Sequence, residues 1–178
     1  MKLILLEGGP ASGKTTLGEK LVERFQAQGE NSVLLDHDTY VEELCPDWTW
    51  PDEALKENDL ARARAGHLKD INRYLAKNFV VVATGGLWLT AQDVSEYTSR
   101  LEVKTPVYLF HLDAPLDVRK QRLVRRGPAP RVNLDKDQKV RDAITLRPGH
   151  VYRNTAAPER EAANLMRLIS AGAGLIFP

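Results

Sequence analysis

The chain has 178 residues, of which 43% are hydrophobic, with 25 Lys and Arg against 24 Asp and Glu. That is enough for one well-filled α/β core and short of two, and the balanced charge excludes a global pull toward nucleic acid or an acidic membrane. The single cysteine, Cys45, excludes a disulfide framework and a cysteine metal set, and no apolar run reaches the ~20 residues that span a bilayer.

In chain order, "MKLILLEGG" is too brief and too soon acidic for a secretory leader, so a reducing cytoplasm is the expected compartment. Its apolar run at 2–7 reads as a strand covered on both faces. Over 14–28, Leu17, Leu21, Val22 and Phe25 fall at helical spacing, and Gly29 supplies a stop. A second buried strand, "SVLLD", occupies 32–36. "PDWTWPDE" at 46–53 breaks regular structure through Pro46 and Pro51. A polar, Ala-rich helix follows over 52–77, with Leu55, Leu60, Leu68, Ile71 and Leu75 as its apolar side. Strands are expected at 79–84 and 106–112, with a helix near 90–101 between them. Pro115 opens a helix through 126. "GPAPRVNLDKD" at 127–137 reads as a mobile polar loop, 149–154 as a weak fifth strand, 158–170 as the last helix, and "GLIFP" as a tail or small strand. Strands alternating with helices imply one doubly wound domain, a mostly five-stranded parallel sheet between two helical layers. Ligands of such sheets gather at the carboxyl ends of the strands. Composition leaves monomer and homodimer equally open.

Between the first strand and helix lies "GGPASGKT", which matches G-x-x-x-x-G-K-[ST] from Gly8 to Thr15 in the strand–loop–helix setting that the motif requires. Its glycines let backbone N–H groups turn inward around an anion, and the helix N-terminus adds partial positive charge at the same place. The expected nucleotide-binding residues are Gly8, Gly9, Pro10, Ala11, Ser12, Gly13, Lys14, Thr15 and Thr16. Lys14 would reach the β- and γ-phosphates of ATP, and the Thr15 hydroxyl would bind Mg²⁺. No "NKxD" stretch follows a late strand, which excludes a switch GTPase, and the chain is short for the motor ATPases.

After the second strand comes "LLDHDTYVEE". Asp36 and Asp38 point the same way if strand geometry persists, one to help hold the metal and the other to take the proton of an attacking hydroxyl. The competing reading makes Asp38 a helix cap. Further on, Arg119, Lys120, Arg122, Arg125, Arg126 and Arg131 form a basic segment. Arg119, Arg122 and Arg126 share one helix face, which is either solvated or set against an anion.

"GGPASGKTT", "LLDHDTYVEE" and "VVVATGG" (80–86) together resemble the small P-loop kinases: shikimate kinase, gluconate kinase, chloramphenicol phosphotransferase and the kinase domain of polynucleotide kinase. The resemblance covers most of the chain. It implies a three-layer α/β/α P-loop fold and transfer of the γ-phosphoryl of ATP to a hydroxyl of a small polar metabolite or antibiotic-like molecule. It places Asp36 with Thr15 near Mg²⁺, Asp38 against the acceptor hydroxyl, and Gly85 and Gly86 close to the acceptor. Arg64 takes the place of the family's substrate-binding arginine. The pattern L-D-A-P followed by R-x-x-R-R-G resembles the lid, whose arginines close over ATP. Arg122, Arg125 and Arg131 then join the nucleotide site, with Lys14, Asp38, Arg122 and Arg126 as catalytic residues. Arg122 reads either as a phosphate ligand or as a stacking partner for adenine.

The expected layout is one kinase domain over 1–178, an acceptor-binding region at 46–67 and a lid at 119–140. The chain departs from shikimate kinases at Leu87, where a third glycine is usual, at Ala63 for phenylalanine and at His67 for glutamate. Trp48, Trp50 and Trp88 are candidates for an acceptor wall or for the core. Arg147, in "LRPGHVY", is a further acceptor candidate, while 149–161 could instead form a strand and turn that approach the adenine. A nucleoside, nucleotide or polynucleotide acceptor and a non-enzymatic ATP-binding regulatory module are the rival readings.

Overall fold

The computed structural model describes residues 1–44, 57–127 and 132–178. The apolar run at the start forms β1 (Lys2–Glu7), and the phosphate-loop motif leads into α1 (Lys14–Ala27). Then come β2 (Ser32–Asp36), α2 (His37–Leu44), α3 (Glu57–Ala76), β3 (Val80–Thr84), α4 (Ala91–Thr98) and β4 (Val107–Asp113). The chain continues through α5 (Leu116–Arg125), α6 (Leu134–Asp142), β5 (His150–Arg153), α7 (Pro158–Ser170) and β6 (Leu175–Phe177).

The strands lie in the order β2-β3-β1-β4-β5, all parallel, and β6 adds antiparallel to the amino end of β4. Successive residues of a strand face opposite sides, and both sides are apolar here, so the sheet buries two cores. Ile4, Leu6, Val82 and Phe110 pack on Leu17, Leu21 and Phe25 of α1 and on Leu165 of α7. Leu3, Leu5, Val81 and Leu109 pack on Ile71 and Leu75 of α3 and on Trp88 and Val94. β1 has β3 on one side and β4 on the other, so the sequence direction reverses at its carboxyl end. That is the place where open α/β sheets bind ligands.

Two expectations change. Strand geometry does not persist past Asp36: α2 begins at His37, with Asp38 in its first turn. The segment read as a mobile loop contains α6, whose N-cap Asn133 accepts the Lys136 N–H through its side chain at 2.9 Å. The predicted helix at 52–77 is seen from Glu57, because its opening residues and Leu55 lie outside the described residues. None of the described helices is long and apolar enough to cross a membrane.

Candidate active site

Gly13 precedes α1 in the left-handed conformation, φ 98°, with no side-chain cap on the helix and no acidic residue in the first turn. The helix therefore presents its first N–H groups to the loop uncapped, an arrangement that suits an anion. Lys14 lies across the loop, its Nζ donating to the carbonyls of Gly8 at 2.8 Å and Gly9 at 3.4 Å. Burial lowers its pKa, and the nearby charges of Asp38, Glu7 and Asp36 oppose that shift.

Asp36 and Asp38 meet at the junction of β2 and α2, through a turn and not through strand alternation. The Thr15 hydroxyl donates to Asp36 Oδ2 at 2.8 Å, and the Asp38 N–H donates to Asp36 Oδ1 at 3.2 Å. The turn from β2 into α2 also sets Asp38 near enough to Lys14 for their charges to act on each other. Gly85, after β3, has φ 77°, and a Cβ there would sit 2.9 Å from Asp36 Oδ1 and 3.2 Å from the Asp38 nitrogen. Only glycine lets β3 end so close to the pair. Crowding by protein raises the pKa of Asp38, Asp36 raises it further, and Lys14 holds it down. The Asp38 side chain is nonetheless on the solvent-facing rim.

On one side of the loop a cavity of about 590 Å³ is lined by Gly13, Thr16, Arg122, Arg125, Arg126 and the 154–158 turn. Arg122 does not hang free: it donates to the carbonyls of Ser12 at 2.9 Å and Asn154 at 3.0 Å. Asn154 in turn donates to the Ser12 carbonyl at 2.7 Å. Glu161 accepts the N–H groups of Thr155 and Ala156 and the Tyr152 hydroxyl, which fixes the turn from β5 into α7. Burial and the adjacent Arg126 lower the pKa of Arg122, the signature of two cations set side by side.

On the other side a cavity of about 420 Å³ is lined by His37, Arg64, Gly86, Leu87, Trp88 and Tyr97, among others. Trp88 is 1% exposed and packs edge-on against Tyr97, so it is a core residue whose ring also backs this cavity. His67, which stands where shikimate kinases have glutamate, is buried beneath it. Its Nε2 faces the Leu35 carbonyl at 3.1 Å, and Tyr97 approaches its Nδ1 at 3.4 Å. Trp48, Trp50 and Arg131 lie outside the described residues.

Arg147 does not join Arg64. It donates to the Arg141 carbonyl and lines a separate polar cavity of about 210 Å³ with Glu7, Gly9, His111, Arg119 and Arg141. Arg119 is likewise withdrawn from any phosphate-facing lid. It is 2% exposed and donates to the Pro10 carbonyl at 2.9 Å, to Gln138 at 3.1 Å and to Asp137.

Sequence reasoning missed Glu7, His111, Asp137, Arg141 and Asn154. For Glu7 a signal existed: a carboxylate ends an apolar strand directly before the glycines. Burial alone would raise its pKa, but His111 and Arg141 outweigh burial and hold it at about 2.

A protein-only metal site is not present among the described residues, which contain no group of three His, Cys, Asp or Glu suited to one. Thr15 and Asp36 bring two hard oxygen ligands together, as suits Mg²⁺, which takes few protein ligands and completes its shell with phosphate and water.

Comparison with known proteins agrees with this fold. A family model described as AAA domain matches residues 3–147. No curated protein matches the sequence. A shikimate kinase from Acinetobacter baumannii, solved in complex with shikimate, is similar over 97% of this chain and 94% of its own, with TM-score 0.66 and 22% identity. A tunicamycin resistance protein from Deinococcus radiodurans is similar over 99% of both chains, with TM-score 0.67 and 18% identity. An APS kinase from Mycobacterium tuberculosis, solved with AMPPNP and APS, is similar over 95% of this chain and 97% of its own, with TM-score 0.63 and 13% identity. The chain thus belongs to the AAA domain family and has the α/β fold of the small P-loop kinases.

Proposed function

We propose that the protein is a cytoplasmic kinase that transfers the γ-phosphoryl of Mg·ATP to a hydroxyl of a small polar molecule. The observation that carries this reading is Asp38, on an open rim beside Lys14 and joined through Asp36 to Thr15. A phosphate loop that only binds nucleotide has no use for a second carboxylate there. The two flanking cavities then divide the work: the one at Arg122 and the 154–158 turn takes the nucleoside, and the one at Arg64 and Gly86 takes the acceptor. Solved proteins of this fold carry shikimate or APS, both small molecules, which supports an acceptor of that size.

The chemistry is positioning and charge stabilisation. The acceptor oxygen forms the new bond to the γ-phosphorus, the bond to the bridging oxygen breaks, and ADP leaves with its electron pair. Asp38 takes the hydroxyl proton, and its raised pKa makes it a better base than an ordinary aspartate. Lys14 and the loop N–H groups stabilise the charge on the transferring group. Thr15 and Asp36 would hold Mg²⁺, which when bound neutralises charge across the phosphates. Arg122 and Arg126 keep the nucleotide in place from the α5 side.

The test is a screen of hydroxyl compounds for acceptor-dependent ADP release, with Asp38→Asn as the control. Transfer that Asp38→Asn abolishes while ATP binding persists is the expected result. Binding of ATP with no transfer to any acceptor would make the chain a nucleotide-binding module. Salt-sensitive oligonucleotide phosphorylation would move the acceptor to nucleic acid.

A further inference from the structure

Among the described arginines of the expected lid, Arg119 and Arg122 are tied to phosphate-loop carbonyls and Arg125 and Arg126 line the nucleoside cavity, and a further arginine outside that set is anchored at the base of the loop. Arg141, on α6, donates from Nη1 to both oxygens of Glu7 at 3.0 and 2.8 Å, and from Nε to both oxygens of Asp137 at 3.1 Å. Glu7 is the residue immediately before Gly8, so its carboxylate fixes the guanidinium at the base of the loop. His111 holds the other side of Glu7, with its Nδ1 3.3 Å from Oε2. Asp137 also receives Arg119, which is tied to the Pro10 carbonyl. Gly9 has no room for a side chain, because a Cβ would land on Asp137 and Arg119. α6 is thereby docked on the loop through alternating charges from four elements.

Two details point from this anchor to an anion. With Nε and Nη1 taken, Nη2 is the guanidinium nitrogen without a protein partner among the described residues. Arg141 is also one of the charges that act on Lys14, where it opposes Asp38 and Glu7. The Gly9 carbonyl accepts from Lys14, and Gly9 lines the same cavity as Arg141, so an anion held against this stretch of loop would meet both cations.

We propose that Arg141 is a further catalytic residue, a second cation for the terminal phosphoryl group, with Glu7 and Asp137 as the residues that position it. This rests on the kinase reading of the same site. A planar guanidinium held on two edges spends little entropy on contact, so its free nitrogen is a preorganised donor. Mounting it on α6 also ties the stretch after the basic helix to the loop that holds the nucleotide.

Titration calorimetry of the full chain with ATP and with ADP, both in excess Mg²⁺, tests the assignment. The variants are Arg141→Gln, Glu7→Gln and the double variant Glu7→Gln/Arg141→Gln. The double variant leaves no unpaired buried charge and so guards against simple unfolding. Arg141→Gln and the double variant are expected to weaken ATP roughly ten- to a hundredfold, the range for one hydrogen bond to a charged group. ADP, which lacks the terminal phosphoryl, is expected to bind nearly as before. Glu7→Gln, which keeps the cation but loosens its anchor, should fall between. Folded variants that lose ATP and ADP alike, or neither, overturn the role of Arg141 and leave the kinase reading standing. A wild-type chain that binds neither nucleotide overturns both.

Discussion

Lys14 is a single ammonium among three carboxylates and a loop of carbonyls, so its removal has two effects at one site. On the proposed kinase reading the transferring group loses its donor, and Glu7, Asp36 and Asp38 lose a cation that acts on all three. Lys14→Ala should lower turnover by roughly 10²- to 10³-fold, the usual loss for one preorganised donor, and near-wild-type turnover would remove Lys14 from the mechanism. Two buried groups set the acid limit of the fold in separate windows. The folded-state pKa of His37, about 4 against an ordinary 6.5, is held down first by burial and then by His67 and Arg64. The unfolded chain therefore takes that proton first, and stability falls as pH drops from 6.5 to 4, by roughly 3 kcal/mol at most. Glu7 acts lower. Its pKa of about 2 against 4.5 gives stability that is complete above 4.5 and lost as pH falls toward 2. Melting curves between pH 7 and 4.5 should show a shallower loss for His37→Gln than for wild type, and equal slopes would acquit His37. The loop residues were legible because their chemistry is contiguous in sequence. Glu7 was not, because its partners His111 and Arg141 come 104 and 134 positions later.

At the scale of elements, apolar periodicity found the strands and the helices that face the sheet, and polar elements escaped it. α6 has one buried residue, Leu134, and otherwise reads as a charged loop. It is a docked helix because Asp137 and Arg141 find Arg119 and Glu7, pairings that no local pattern encodes. α2 was in view only as the competing reading in which Asp38 caps a helix, since a D-x-D after a strand also reads as more strand. The junction between β3 and α2 gives the sharpest test of element placement. Gly85→Ala puts a methyl group into the Asp36–Asp38 turn at a positive φ. It should cost about 1–3 kcal/mol in stability and a larger fraction of activity, because it displaces the acids rather than deleting them. Thermal melts beside turnover check this, and a variant with wild-type values in both would show that the turn yields without consequence.

For the molecule as a whole, the order β2-β3-β1-β4-β5 makes the strand that carries the phosphate loop the central one. Its neighbours are remote: Lys2 registers with Val80, and Leu3 with Val107. Chain closure over such spans precedes any reward from pairing, so refolding should belong to the millisecond-to-second class rather than to that of helical bundles. Until both neighbours arrive, "LILLE" exposes two unsatisfied edges and two oily faces. Stopped-flow refolding should therefore lose yield as protein concentration rises, with the loss confined to the earliest phase. The position that lets one strand govern the chemistry also makes it the last to be sheltered during assembly.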